Sequence, residues 1–369
     1  MKRLSLLLVL SLTLVTITTP LSAPLINAQD DDPAPESSTV QSWWCTVGDA
    51  ILRACPYWQD CEQILTYSAN TLLPVVNTAT GDRDFGSDLW LVVQDPVQDI
   101  EGYIHSTRAR ECQPEPWQML PVVPQVSDAM RAVYARGQEL GNNAGAFSKV
   151  GDCQNVEAYF LSHFDSAEQY DLGPYSPLQS TIDQFAGSWE RDSAAVEAGY
   201  TVASALSPLW SDPARCESNE TPLECEARLH NPAIVIISME TWNRTGKQPI
   251  SEYEQYLSEV VAFWLDRGVV PILGTKADNL EGDYAINAAI ARVAEFHEVP
   301  LWNFWLAAQS LPGHGFDPNW SDGFHLLWAR SYYNNPDRLR DGWPVRNLTA
   351  LEAIDAVWHA ITTTGDTGD

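Results

Sequence analysis

The chain has 369 residues, a formal charge of −28 and a pI near 4.4, and 45% of its residues are hydrophobic. So large a negative charge, with no basic run anywhere, excludes nucleic acid as a partner, because its phosphates would be repelled. The surplus of acid reads as a solvated surface, and the 15 tryptophans are enough to furnish a substantial core.

In chain order, Lys2 and Arg3 precede an apolar run from Leu4 to about Ile17, followed by the small-residue sites Leu21-Ser22-Ala23 and Ile26-Asn27-Ala28. This is the layout of a secretory signal peptide, assigned to residues 1–28. The run is shorter than the ~20 residues a membrane span needs. The mature protein is therefore expected to be secreted, with no transmembrane segment left after cleavage. Residues 29–41, acidic and bearing Pro and Ser, read as a linker. Residues 42–115 carry short apolar runs at Gln63–Tyr67, Leu73–Val76, Leu89–Val93 and Gly102–His105, spaced by turn residues, which predicts a small all-β barrel. The strand Trp90-Leu91-Val92-Val93, followed after a polar turn by Gly102-Tyr103-Ile104, resembles a bacterial SH3-type domain. Such a resemblance implies a cell-wall or peptide-binding module.

The Pro-rich stretch from Gln113 to Pro124 reads as an inter-domain connection, and residues 116–363 form the larger unit. Helical periodicity is expected over Ser127–Leu140, Ser251–Arg267, Tyr284–Glu298 and Ala350–Ile361. Buried-strand runs fall at Phe147–Val150, Ala233–Ile237, Val269–Leu273 and Val299–Trp302. Alternation of this kind predicts a three-layer α/β domain of flavodoxin-like type around a mainly parallel sheet.

Exported proteins meet an oxidising compartment, so cysteines pair by default. Cys45, Cys55, Cys61 and Cys112 have the numbers for two bridges, and Cys216 and Cys225 flank one polar loop. The spacing leaves the connectivity open, but one cysteine, Cys153, is left over.

Parallel α/β sheets collect function at the carboxyl ends of their strands. Three such ends carry chemistry-bearing residues: Gly151-Asp152-Cys153, Glu240-Thr241-Trp242-Asn243, and Asp322-Gly323-Phe324-His325. A nucleophile after Gly151 would have backbone amides behind it, which lower a thiol's pKa and bind an oxyanion. Gly151-Asp152-Cys153 resembles the Gly-Asp-Ser block of SGNH/GDSL hydrolases, and Asp322-Gly323-Phe324-His325 resembles their Asp-x-x-His block. The resemblance implies Cys153 as nucleophile, His325 as general base and Asp322 as the residue that orients it. It also implies an oxyanion site from the backbone N–H groups of Cys153 and Gly199, joined by Asn243, with Trp242 and Asp152 as substrate contacts. The third block departs from the family's Gly-Thr-Asn-Asp: Trp242 falls on the donor's position and Glu240 on the glycine's.

The function this implies is hydrolysis of an ester on acylated carbohydrate, lipid or a small molecule, with no metal or organic cofactor required. The alternative is a catalytically degenerate domain that binds a cell-wall or other extracellular glycan or a peptide, with Trp242 stacking on a sugar. The stretch Lys276-Ala277-Asp278-Asn279 reads mainly as a capped loop. Tyr159-Phe160 and Trp302–Trp305 read as core.

Overall fold

The computed structural model describes residues 40–95, 100–242, 248–320 and 322–363. The expected signal peptide, nearly all of the linker, and Asn243 lie outside the described residues. From Thr39 onward the chain clusters as one unit.

Its N-terminal part is antiparallel throughout. Strands β1 (Ser42–Thr46), β2 (Ala50–Arg53), β3 (Gln63–Tyr67), β4 (Leu72–Asp84), β5 (Ser87–Gln94), β6 (Glu101–His105) and β7 (Ala109–Glu111) make a seven-stranded sheet in the order β3-β2-β6-β5-β4-β1-β7. Leu52, Leu73, Val75, Leu91, Val93 and Ile104 fill its core. The all-β prediction holds for this region. The order is linear, however, and among the described residues no β3–β7 pairing closes it into a barrel. Cys45 of β1 is bonded to Cys112 just after β7, and Cys55 to Cys61.

The Pro-rich stretch that follows is fixed to the second half rather than free. Asn303 donates from Nδ2 to the carbonyls of Trp117 (3.1 Å) and Leu120 (2.8 Å), and from its backbone N–H to Val122 (3.1 Å). Trp117 and Val122 are buried in the main core.

The second half begins with α1 (Asp128–Leu140), which stops at Gly141 in the left-handed conformation (φ 87°). Ser127 stands at its N-cap, as expected, but its hydroxyl donates to the carbonyl of Glu298 instead of capping the helix. Then come β8 (Asn143–Gly151), the short β9 (Tyr170–Asp171), α2 (Gln179–Gln184), α3 (Pro222–His230) and β10 (Pro232–Ser238). Next are α4 (Ile250–Asp266), β11 (Val270–Gly274), α5 (Ala285–His297), β12 (Leu301–Trp302), α6 (Phe304–Gln309), β13 (Ser331–Tyr332) and α7 (Gly342–Thr362). Strands β12-β11-β10-β8 form a parallel sheet in that order, and β9 and β13 pair separately.

Every residue of β10 and β11 is buried. Successive side chains of a strand point to opposite faces, so both faces of the sheet are covered. The cover comes from α1 packed on α7 and α4 packed on α5, with members of both pairs touching the central strands. This is the α/β architecture expected, and it aligns the carboxyl ends of β8, β10 and β11 at one edge. Among the described residues, no helix is long and apolar enough to cross a membrane. Cys216 and Cys225 form the third disulfide, leaving Cys153 free.

Candidate active site

β8 ends at Gly151, and the glycine is required there. A Cβ on Gly151 would lie 2.3 Å from Cγ of Asn155, a fully buried residue whose Nδ2 donates back to the carbonyl of Val150. The turn that results presents Asp152, Cys153 and Gln154, and each flank of Cys153 is tied to a different loop.

Asp152 binds the loop after β10. Its Oδ2 accepts the backbone N–H groups of Glu240 (2.9 Å) and Thr241 (2.6 Å), and its Oδ1 accepts that of Gln154 (3.1 Å). Expected as a substrate contact, Asp152 is instead 0% exposed and does not line the cleft. Burial raises its carboxyl pKa, with these N–H groups and Arg346 working the other way. A buried carboxylate needs such donors to stay tolerable.

Gln154 binds the last loop: its Nε2 donates to the carbonyl of Phe324 at 2.6 Å. The stretch leading to Gly199 is joined to β8 through backbone hydrogen bonds. Gly151 bridges Val196 in parallel, donating to the carbonyl of Ala195 (3.2 Å) and accepting from Glu197 (3.4 Å). Three residues on, Gly199 turns with φ +89°, a left-handed conformation that favours glycine, and a Cβ there would meet open space.

These ties assemble one cavity of about 470 Å³ whose lining includes Cys153, Gly199, Glu240, Trp242, Asp322 and His325. His325 Nδ1 lies 2.5 Å from Asp322 Oδ2. Asp322 also accepts the N–H groups of Phe324 and His325; although desolvation opposes them, these and the imidazole take its carboxyl down to about 2. An ionised carboxylate only accepts, so Nδ1 carries the proton and Nε2 is left to act as a base. Trp320, 56% exposed, lies over the imidazole with ring centroids 4.3 Å apart.

The thiol of Cys153 is half-buried and its pKa is pushed up to about 12, by desolvation first and then by Asp152 and Glu240. The backbone N–H groups of Cys153 itself and of Gly199 face the sulfur and oppose that rise. Backbone N–H groups beside a sulfur can stabilise negative charge that forms there. In its resting state the sulfur is a protonated thiol that needs a base.

Trp242 lines the cavity but is only 9% exposed, packed edge-on against Tyr253 (5.6 Å between centroids) and tilted against Tyr256 (6.2 Å). It is a wall more than a free stacking platform. The stretch after β11, expected mainly as a capped loop, contributes directly: Lys276, Asp278, Leu280 and Glu281 line the cavity. Lys276 Nζ donates to Asp278 (2.7 Å) and Glu281 (2.6 Å). Phe160, Trp302, Phe304 and Trp305 are core, whereas Tyr159 is exposed.

Sequence reasoning missed Gln154 and Arg346. Arg346, fully buried in the first turns of α7, reaches Glu240 Oε1 at 2.7 Å and Ser238 Oγ at 2.8 Å, with its guanidinium against the rings of Phe160, Trp302 and Phe304. No local pattern announces such a partnership across the sheet. Among the described residues, one further group has metal-ligand spacing, Cys216, Glu220 and Cys225, but both its sulfurs are spent in a disulfide.

No protein-family model matches the chain, and no curated protein does. Solved structures similar to it include TesA, with 19% identity over 55% of this chain and 99% of that one, at a TM-score of 0.33. The psychrotrophic esterase EstA from Pseudoalteromonas sp., in a structure inhibited by monoethylphosphonate, shares 16% identity over 59% and 100%, with a TM-score of 0.36. A GDSL-like lipase from Bacteroides thetaiotaomicron shares 13% over 61% and 97%, with a TM-score of 0.35.

Proposed function

We propose that the protein is a secreted, thiol-dependent ester hydrolase of SGNH/GDSL type, acting on acylated carbohydrate, lipid or a similar small ester. The observation that carries this reading is the convergence of Cys153, the N–H of Gly199 and the Asp322–His325 pair on one cavity. His325 Nε2 takes the thiol proton as sulfur attacks the acyl carbon, and Asp322 holds the imidazole in the tautomer that can do so. The carbonyl electron pair moves to oxygen, where the N–H groups of Cys153 and Gly199 receive it. Collapse expels the alcohol, protonated by His325. Water then attacks the thioester with His325 again as base, releasing the acid and restoring the thiol. The antiparallel sheet is proposed as an SH3-like accessory module for the same extracellular substrate. Three disulfides accord with an oxidising compartment.

The test is hydrolysis of acetyl and longer-chain aryl esters by the purified protein beside Cys153→Ala and His325→Ala. Loss of turnover in Cys153→Ala, with a fall of about 10²–10⁴ in His325→Ala, is the expected result. The raised thiol pKa favours a second reading, a glycan- or peptide-binding domain without turnover. Background rates from all three proteins, with ligand binding intact in Cys153→Ala, would establish it instead.

A further inference from the structure

We propose that Glu240 is a catalytic residue of this cleft, whose Oε2–H hydrogen-bonds the negative charge that forms when Cys153 attacks an acyl carbon. The proposal rests on the ester-hydrolase reading above and supplies the third donor that the altered third block lacks.

Placement comes first. Glu240 lines the same cavity as Cys153, Gly199 and His325. Its backbone N–H is held at 2.9 Å by Asp152, the residue bonded to Cys153, so the two loops keep a fixed spacing. Its two oxygens are not equivalent. Oε1 accepts from Ser238 Oγ (2.9 Å) and lies 2.7 Å from Arg346 Nη2 as an ion pair. No described residue donates to Oε2, and Glu240 lines the cavity. With the Ser238 hydroxyl and the Arg346 cation both at Oε1, a proton on this carboxyl resides on Oε2.

Charge comes second. Burial, aided by Asp152 and Asp278, pushes the Glu240 carboxyl up to about 7 against the pull of Arg346 and the Ser238 hydroxyl. The groups that face it are Asp152 and Cys153 from the turn after β8, Asp278 from the loop after β11, Arg346 from α7 and Tyr253 from α4. Below neutrality the residue is a neutral acid able to donate. Above it, the same side chain is an anion that opposes both the Cys153 thiolate and an oxyanion.

In the step itself, sulfur bonds to the acyl carbon, the carbonyl pair moves to oxygen and the thiol proton passes to His325 Nε2. Glu240 keeps its proton throughout and donates a hydrogen bond beside the N–H groups of Cys153 and Gly199. Collapse returns the pair, breaks the bond to the alcohol oxygen, and His325 delivers its proton there. A neutral carboxylic acid serving as an oxyanion donor is chemically sound, provided its site keeps it protonated.

The experiment is the pH dependence of 4-nitrophenyl acetate hydrolysis by the wild type and by Glu240→Gln, alongside the pH dependence of Cys153 alkylation by iodoacetamide. The amide donates without ionising. Wild-type kcat/KM is expected to fall about tenfold per pH unit above about 7, the slope of one ionisation. Glu240→Gln should hold its plateau to about pH 9, within about tenfold of the wild-type maximum. A wild-type plateau running past about pH 8.5, or the same alkaline limb in Glu240→Gln, overturns the proposal. Because Glu240→Gln leaves Arg346 without its anion, Glu240→Gln/Arg346→Met serves if the single variant fails to fold, and the wild-type profile needs no variant. If no protein hydrolyses the ester, the esterase reading fails and alkylation decides on Glu240 alone. An apparent thiol pKa at least about one unit lower in the variant supports its placement against the charge at Cys153. An unchanged value overturns it.

Discussion

The side-chain amide of Gln154 and the carbonyl of Phe324 are joined at 2.6 Å, which links the residue after the candidate nucleophile to the residue before the candidate base. The hydrogen bond spans two loops that no secondary structure connects. It therefore sets the separation of Cys153 and His325 more directly than the sheet does. Gln154→Ala is expected to lower kcat by about ten- to a hundredfold with little change in KM, since small misplacements of reacting groups cost about that much. Steady-state kinetics on an aryl acetate, with a denaturation curve to show an intact fold, checks it. An unchanged kcat would mean that the His325 loop is positioned from elsewhere.

The two glycines of the cleft should answer differently to alanine. Gly151→Ala drives a Cβ to within 2.3 Å of buried Asn155, so it should damage the fold itself, seen as low soluble yield or a lowered Tm. Gly199→Ala meets no atom but holds φ at +89°, costing about 1–2 kcal/mol of backbone strain and turning its N–H away. That variant should fold and lose about tenfold or more in kcat. Equal stability of the two variants would contradict the packing around Gly151.

Burial raises the Glu352 carboxyl on α7 to about 7, with Asp355 adding to the effect. A carboxyl with a raised folded-state pKa binds its proton more tightly folded than unfolded. Its contribution to stability is therefore complete below about 4.5, the unfolded value, and is lost as pH rises through about 7. Glu352→Gln should match the wild type near pH 4.5 and exceed it above pH 7, by at most about 3 kcal/mol. Urea denaturation at several pH values reads the difference directly, and a pH-independent gap would refute it.

The Cys45–Cys112 bridge closes a sequence separation of 67 residues. On chain-entropy grounds, Cys45→Ser/Cys112→Ser should lose about 4 kcal/mol. The loss should appear as a lower denaturation midpoint under conditions that leave the other bridges intact. A loss below about 1 kcal/mol would mean that native contacts between β1 and β7 already hold the ends together.

Legibility in the sequence followed burial. β10 and β11 lie within a residue of the expected runs because a strand covered on both faces is a continuous apolar word. α7 was expected only from Ala350, but it starts at Gly342. Pro344 resembles a breaker, yet it sits in the first turn, where a missing N–H costs nothing. Arg346 and Asn347 disguise the buried face with polar residues. Arg346 is spent on Glu240, and Asn347 receives the N–H of Leu161 and donates to the carbonyl of Tyr159. That Cys153, Asp322 and His325 share one cavity was foreseeable because their motifs are short and local. Gln154 and the Glu240–Arg346 pair were not, since each acts through a partner distant in sequence. The strands β1, β2 and β7 escaped notice as runs of three to five residues that gain their order only from neighbours.

β1 and β7 lie side by side, with Trp44 opposite Glu111 and Cys45 opposite Arg110. The chain thus enters and leaves the antiparallel sheet through the same doorway, and a disulfide bolts that doorway shut. A segment whose two ends meet behaves as a cassette: insertion into a host chain, or deletion from one, requires only that two adjacent points be joined.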